Sequence, residues 1–125
     1  MDLSPLTALS PVDGRYAARV ADLRELASEY GLVRLRVLVE VRWLEALAAD
    51  PVLPGLPPFD ADTGGVLDRI VRDFDLAEGQ RVKAIESRIN HDVKAVEYYL
   101  RERLEAHPAL ARAVPYVHFA CTSED

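Results

Sequence analysis

The sequence predicts an all-helical fold, and three observations carry the prediction. Apolar residues recur at alternating spacings of three and four over long stretches, the pattern of a helix with one buried face. Prolines fall between those stretches and not inside them. Half of the 125 residues are apolar but only 7% are aromatic, so the core must be built from Leu, Val, Ala and Ile. A chain of this length makes one domain and buries roughly two-thirds of the surface that its unfolded form exposes.

The elements follow in order. Leu3 to Tyr16 holds Pro5, Pro11 and Gly14 without a helical period, which predicts an irregular arm with a turn at Pro11-Val12-Asp13-Gly14. From Val20 the pattern is helical, with Leu23, Leu26, Ala27 and Tyr30 in phase. Gly31 is the expected kink or interruption, because Gly costs about 1 kcal/mol against Ala inside a helix. Leu32 to Ala49 carries two apolar stripes: Leu32, Leu35, Val39, Trp43 and Ala46 on one, Val37, Val41, Leu44 and Ala48 on another. A helix apolar on several faces needs cover on several sides, and in so short a chain some of that cover is expected from outside it. Asp50 to Pro58, with four prolines and a Gly, reads as a rigid connector. Asp62 or Thr63 is the expected cap of the next helix, whose stripe is Val66, Leu67, Ile70, Val71 and Phe74.

Ala77 to Ala106 keeps one stripe in phase through Val82, Ile85, Ile89, Val93, Val96, Leu100 and Leu104. Asn90-His91-Asp92 inside it looks like a fresh helix start, with a capping Asn and an acid in the first turn. The expectation is one long helix or two joined by a kink there. Glu97–Arg101 and Arg101–Glu105 are i, i+4 pairs expected to support an exposed face. Pro108 ends the pattern, and Tyr116 to Cys121 is open to helix, turn or short strand.

A formal net charge of −6 argues against a whole-protein attraction to nucleic acid or anionic membrane. Cys121 is the sole cysteine, so no internal disulfide forms and a reducing cytoplasm is the expected location. The start Met1-Asp2-Leu3-Ser4-Pro5 lacks the basic and apolar regions of a signal peptide. No uncharged apolar run approaches the ~18 residues of a membrane span.

No self-sufficient catalytic signature is present: no Walker loop, dinucleotide-binding glycine turn or zinc-type Cys/His spacing. Three clusters remain. Arg15 and Tyr16 follow the Gly14 turn and can clamp a phosphate, although the residues alone favour an ordinary surface turn with Tyr16 on the core. Arg88 to Lys94 places His91 away from the core stripe, with Arg88 and Lys94 one turn to either side. That arrangement suits an anionic ligand about as well as a solvated charged face with Asp92 as a cap. His118 to Glu124 offers the hydroxyls of Thr122 and Ser123 to a carboxylate. His118 there is a tuned acid, a substrate donor or, more commonly in such a context, a satisfied core histidine. Cys121 reads as a small buried hydrophobe.

Taken together and in order, these clusters carry a resemblance. Ser10-Pro11-Val12-Asp13-Gly14-Arg15-Tyr16, Asn90-His91-Asp92-Val93-Lys94-Ala95-Val96-Glu97-Tyr98 and His118-Phe119-Ala120-Cys121-Thr122-Ser123-Glu124-Asp125 resemble the adenylosuccinate lyase family, in its bacterial branch. Glu29-Tyr30-Gly31-Leu32 and Val39-Glu40-Val41-Arg42-Trp43-Leu44 add to the likeness, which runs from Leu3 to Asp125. The resemblance implies the amino-terminal helical domain of the fumarase/aspartase superfamily over 1–110, with an irregular arm at 1–19. It implies that 111–125 starts a central helical bundle and that the chain is cut there, where capping-type polar residues follow an apolar run.

It further implies elimination of fumarate from adenylosuccinate, giving AMP, and from the succinyl-carboxamide ribotide of purine synthesis. The implied partners are a small nucleotide substrate and, at full length, three further copies in a homotetramer, with no metal or organic cofactor. Arg15 and Tyr16 would hold the nucleotide at its phosphate. Asn90, His91 and Asp92 would line the substrate pocket, and Thr122 and Ser123 would bind a succinyl carboxylate. His118 and Lys94 are supporting candidates. The family's general acid, a histidine, and general base, a serine on a mobile loop, are both expected beyond Asp125, so the chain alone is expected to be inactive. Two other readings stay open: a sibling such as argininosuccinate lyase or fumarase, and a stand-alone helical binding module.

Overall fold

The computed structural model describes residues 2–53 and 55–123. Glu124 and Asp125 of the third cluster, and Pro54 of the connector, lie outside the described residues. Among those residues every regular element is helical, as expected. Two compact units divide the chain, 1–32 and 33–125.

The first unit opens with turns. Asp13 Oδ1 accepts from the Ser10 N–H at 2.9 Å, and the Gly14 N–H donates to Ser10 O at 3.1 Å, which closes the expected turn. A single 3-10 turn at Ala21–Leu23 leads into α1, Arg24–Ala27. The helical run then breaks at Ser28 (φ −89°, ψ 169°), not at Gly31. Ser28 caps the following helix: its Oγ accepts from the Gly31 N–H at 3.2 Å. Gly31 is needed for a different reason. A Cβ there would stand 2.6 Å from the carbonyl oxygens of both Glu25 and Leu26, so only Gly lets the two backbones approach.

The second unit is built on α2, Glu29–Ala49, from Val33 onward. Val33, Val37, Val41, Leu44 and Ala48 are buried, and the other stripe stays open, with Val39 55% and Trp43 37% exposed. The predicted two-sided helix therefore has one covered side. In the connector, Leu56 is buried and Gly55 takes φ +93° beside Tyr116, whose Oη lies 2.6 Å from where a Cβ would be. α3, Ala61–Arg72, is capped by Asp60, two or three residues earlier than expected, through the Thr63 N–H at 2.8 Å. It buries Leu67 and Ile70, with Phe74 just beyond, and Arg42 ties α2 to it through Asp68 at 2.9 Å.

The long periodic segment forms two helices, α4 (Leu76–Ile89) and α5 (Asp92–Glu105). Asn90 ends α4 in the left-handed conformation (φ 54°, ψ 41°), which Asn tolerates better than most residues. The cap of α5 is His91, not Asn90. The shared stripe is buried as predicted at Val82, Ile85, Val93, Val96, Leu100 and Leu104. Tyr99 is also buried, edge-on to Phe74 at 5.8 Å, with its phenol on Glu78 Oε2 at 2.5 Å. Burial first, and then the Glu78 carboxylate, push the Tyr99 phenol up from its ordinary value of 10.0.

Glu97 corrects the expectation of an exposed charged face. Its side chain is only 4% exposed, and it is neutralised by Lys94 at 2.7 Å and Arg101 at 2.9 Å. After α5 a 3-10 stretch, Pro108–Tyr116, packs on that helix and buries Leu110 and Ala113. Turns carry the chain from there to Ser123, which resolves Tyr116–Cys121 as 3-10 end and turn.

Candidate functional site

The junction of α4 and α5 presents the second cluster. Because Asn90 turns left-handed, His91 can take the extended backbone (φ −151°, ψ 116°) of a cap, and its Nδ1 accepts from the Lys94 N–H at 3.2 Å. An imidazole that accepts at Nδ1 carries its proton on Nε2 when neutral, so neutral His91 has an N–H at Nε2 on a half-exposed ring. Asp92 occupies the first turn of α5, where the Val93 N–H and then the Arg36 guanidinium hold its carboxyl below the usual 3.8. Arg36 is thus a partner of the site that the sequence did not disclose. Lys94, read as a supporting residue, is paired with Glu97 and lies 5.5 Å from the Tyr98 ring centre.

The third cluster hangs on α2. His118 and Ala120 both have φ 61°, a left-handed conformation costing about 1–2 kcal/mol for a residue with a side chain. Contacts from α2 reach this segment. Trp43 Nε1 donates to Phe119 O at 2.8 Å, and His118 Nδ1 meets Glu40 Oε1 at 2.5 Å. His118 is therefore mostly buried, at 17% side-chain exposure, and has a charged partner. Thr122 and Ser123 follow as exposed residues outside any helix, and Cys121 is half-exposed, against the expectation of a buried hydrophobe.

The sequence places Glu40 and Trp43 in a helix and in the resemblance but not among the site residues, yet Glu40 left a signal. It falls in phase with Val33, Val37 and Leu44, an acid on the buried side of an otherwise apolar stripe.

The first cluster belongs to the other unit. Arg15 has its guanidinium 4.7 Å over the Tyr16 ring, and Tyr16 is 41% exposed, not folded onto a core. The structure joins these two residues to each other and leaves both accessible. An open hollow of about 610 Å³, lined by Ala48, Pro51, Leu56, Pro57, Arg112 and neighbours, contains none of the residues singled out above. Among the described residues no helix is long and apolar enough to cross a membrane.

No family model matches the chain. Individual proteins do. Over all 125 residues the chain is 54% identical to an adenylosuccinate lyase of Escherichia coli (strain K12) and 50% to one of Haemophilus influenzae. It is 41% identical, again throughout, to one of Legionella pneumophila (strain Corby). The chain is similar to adenylosuccinate lyases throughout its length. It spans 27% of the length of these relatives and matches their amino-terminal portion. The likeness extends over both units, because the alignment takes in all 125 residues.

Proposed function

We propose that this chain is the substrate-gripping part of an adenylosuccinate lyase acting in the cytoplasm as a homotetramer. The observation that carries the reading is the 54% identity over the whole chain to the Escherichia coli enzyme of that name. The sibling lyases and the stand-alone module have no comparable support.

The reaction breaks a carbon–nitrogen bond in the succinyl group. A proton leaves the carbon beside a carboxylate, the electron pair forms the double bond of fumarate, and the amino nitrogen of the nucleotide departs with a proton. The intermediate places extra negative charge on that carboxylate, so fixed donors there lower the barrier. Thr122 and Ser123 supply two exposed hydroxyls suited to this task. The Nε2–H of neutral His91, with Asn90 and Asp92 beside it, supplies polar groups for the substrate. Arg15, stacked on Tyr16, offers bidentate donors to a phosphate. In this reading 1–110 is the helical amino-terminal domain and 111–125 is the start of the bundle. The acid and the base come from sequence beyond Asp125, and the 125-residue chain alone does not turn over substrate.

Reading the coding sequence past Asp125 tests this. A frame continuing into a long helical region with a glycine- and serine-rich loop is the expected result. A frame that stops there, with no such region, would sink the proposal.

A further inference from the structure

We propose that Glu40 is a positioning residue that fixes the tautomer and direction of the His118 ring, so that Nε2 is presented as an acceptor. For its use the inference rests on the reading of His118 as a residue near the substrate, but its geometry stands independently. Glu40 Oε1 lies 2.5 Å from His118 Nδ1. A carboxylate only accepts, so the shared proton belongs to Nδ1, and in the neutral ring the lone pair belongs to Nε2. The ring cannot swing freely, because its backbone is held left-handed at φ 61° and the next carbonyl is tied to Trp43.

The second carboxylate oxygen sharpens the argument. Glu40 Oε2 is buried and accepts no hydrogen bond among the described residues. A carboxylate placed for stability would have both oxygens satisfied, since a half-satisfied buried charge is commonly worth no more than an apolar side chain of equal size. Glu40 stabilises the fold little; what it does is orient a histidine. The same arrangement, a carboxylate on one ring nitrogen setting the chemistry of the other, is the usual way a histidine is readied for a ligand.

The test uses the 125-residue chain labelled with ¹⁵N in its histidines, His118 being assigned by its loss in H118Q. The ring-nitrogen resonances report which nitrogen is protonated. The native chain is expected to show His118 protonated at Nδ1, and E40Q, which keeps an acceptor in place, is expected to retain that pattern. E40M, apolar and of similar size, is expected to exchange the two resonances while its thermal midpoint holds or rises. A native chain protonated at Nε2 overturns the proposal without any variant. So does E40M with the native pattern at any midpoint, or E40M with exchanged resonances and a lowered midpoint, which would make Glu40 a stabilising residue. None of these outcomes depends on turnover, so a chain that proves unrelated to lyase chemistry leaves the tautomer result standing.

Discussion

Arg36 Nη1 donates to Asp92 Oδ2 at 2.7 Å, joining the middle of α2 to the first turn of α5 across 56 residues of chain. The pair fixes the helix end on which Asn90 and His91 sit, and it explains why Asp92 does not behave as a free surface cap. Its energetic worth is modest, because the Asp92 side chain is 49% exposed. Arg36→Met should cost about 0.5 kcal/mol near neutral pH, typical of an exposed ion pair. The sign with pH follows from a carboxyl held below its ordinary value of 3.8 in the folded chain. The stabilisation is complete above that value and is lost as pH falls through it and toward the lower folded value. Urea unfolding at neutral pH and near pH 3 should therefore show the difference between native and variant shrinking in acid. A constant difference would contradict the pairing.

Asn90 is left-handed by necessity, since α4 must stop and α5 start within two residues. Asn90→Ala should destabilise by about 1 kcal/mol, and Asn90→Gly should be neutral or stabilising. Denaturant midpoints of the two variants check the order. Ala matching Gly would show that the backbone is not held there.

Two glycines in helices should respond with opposite signs. Gly64 in α3 has open space where a Cβ would stand, so Gly64→Ala should stabilise by roughly 0.5–1 kcal/mol. Gly31→Ala gains the same propensity but drives a Cβ to 2.6 Å from two carbonyl oxygens, and it should destabilise overall. Thermal unfolding of both variants decides this, and a stabilised Gly31→Ala would remove the close approach from the account.

Glu97 is a buried acid between two half-exposed cations. Glu97→Gln should cost roughly 1 kcal/mol, because it leaves two half-exposed cations and no uncompensated buried charge. Lys94→Met or Arg101→Met alone should cost less, because the remaining cation still neutralises the carboxylate. Equal losses in all three variants would show that the triad acts only as a unit.

How much of this was legible in the sequence depends on range. The helical phase of α3, α4 and α5 could be read directly, because Leu67, Val82, Val96 and Leu104 are each buried for reasons carried by their near neighbours. Helix ends slipped by one to three residues. Asp60 and not Asp62, His91 and not Asn90, and Ser28 and not Gly31 mark the boundaries, because several capping-type residues stand together and only backbone geometry selects among them. The burial of Glu97 was hidden by its i, i+4 partner, which suits an exposed face equally well.

The candidate site divides in the same way. Its residue types were visible as three clusters. The contacts that hold them were not, since Glu40 and His118 stand 78 residues apart and Trp43 and Phe119 stand 76 apart. The left-handed turns at His118 and Ala120 also carry no sequence mark, because neither residue favours that conformation.

The central claim is that this chain can serve as the amino-terminal part of an adenylosuccinate lyase whose proton chemistry resides elsewhere. Replacing the matching 125 residues of the Escherichia coli enzyme with this chain, and following adenylosuccinate by absorbance, tests it most directly. The hybrid should form AMP and fumarate, and the chain alone should not. A correctly assembled hybrid without activity, or a chain that turns over substrate by itself, would contradict the account.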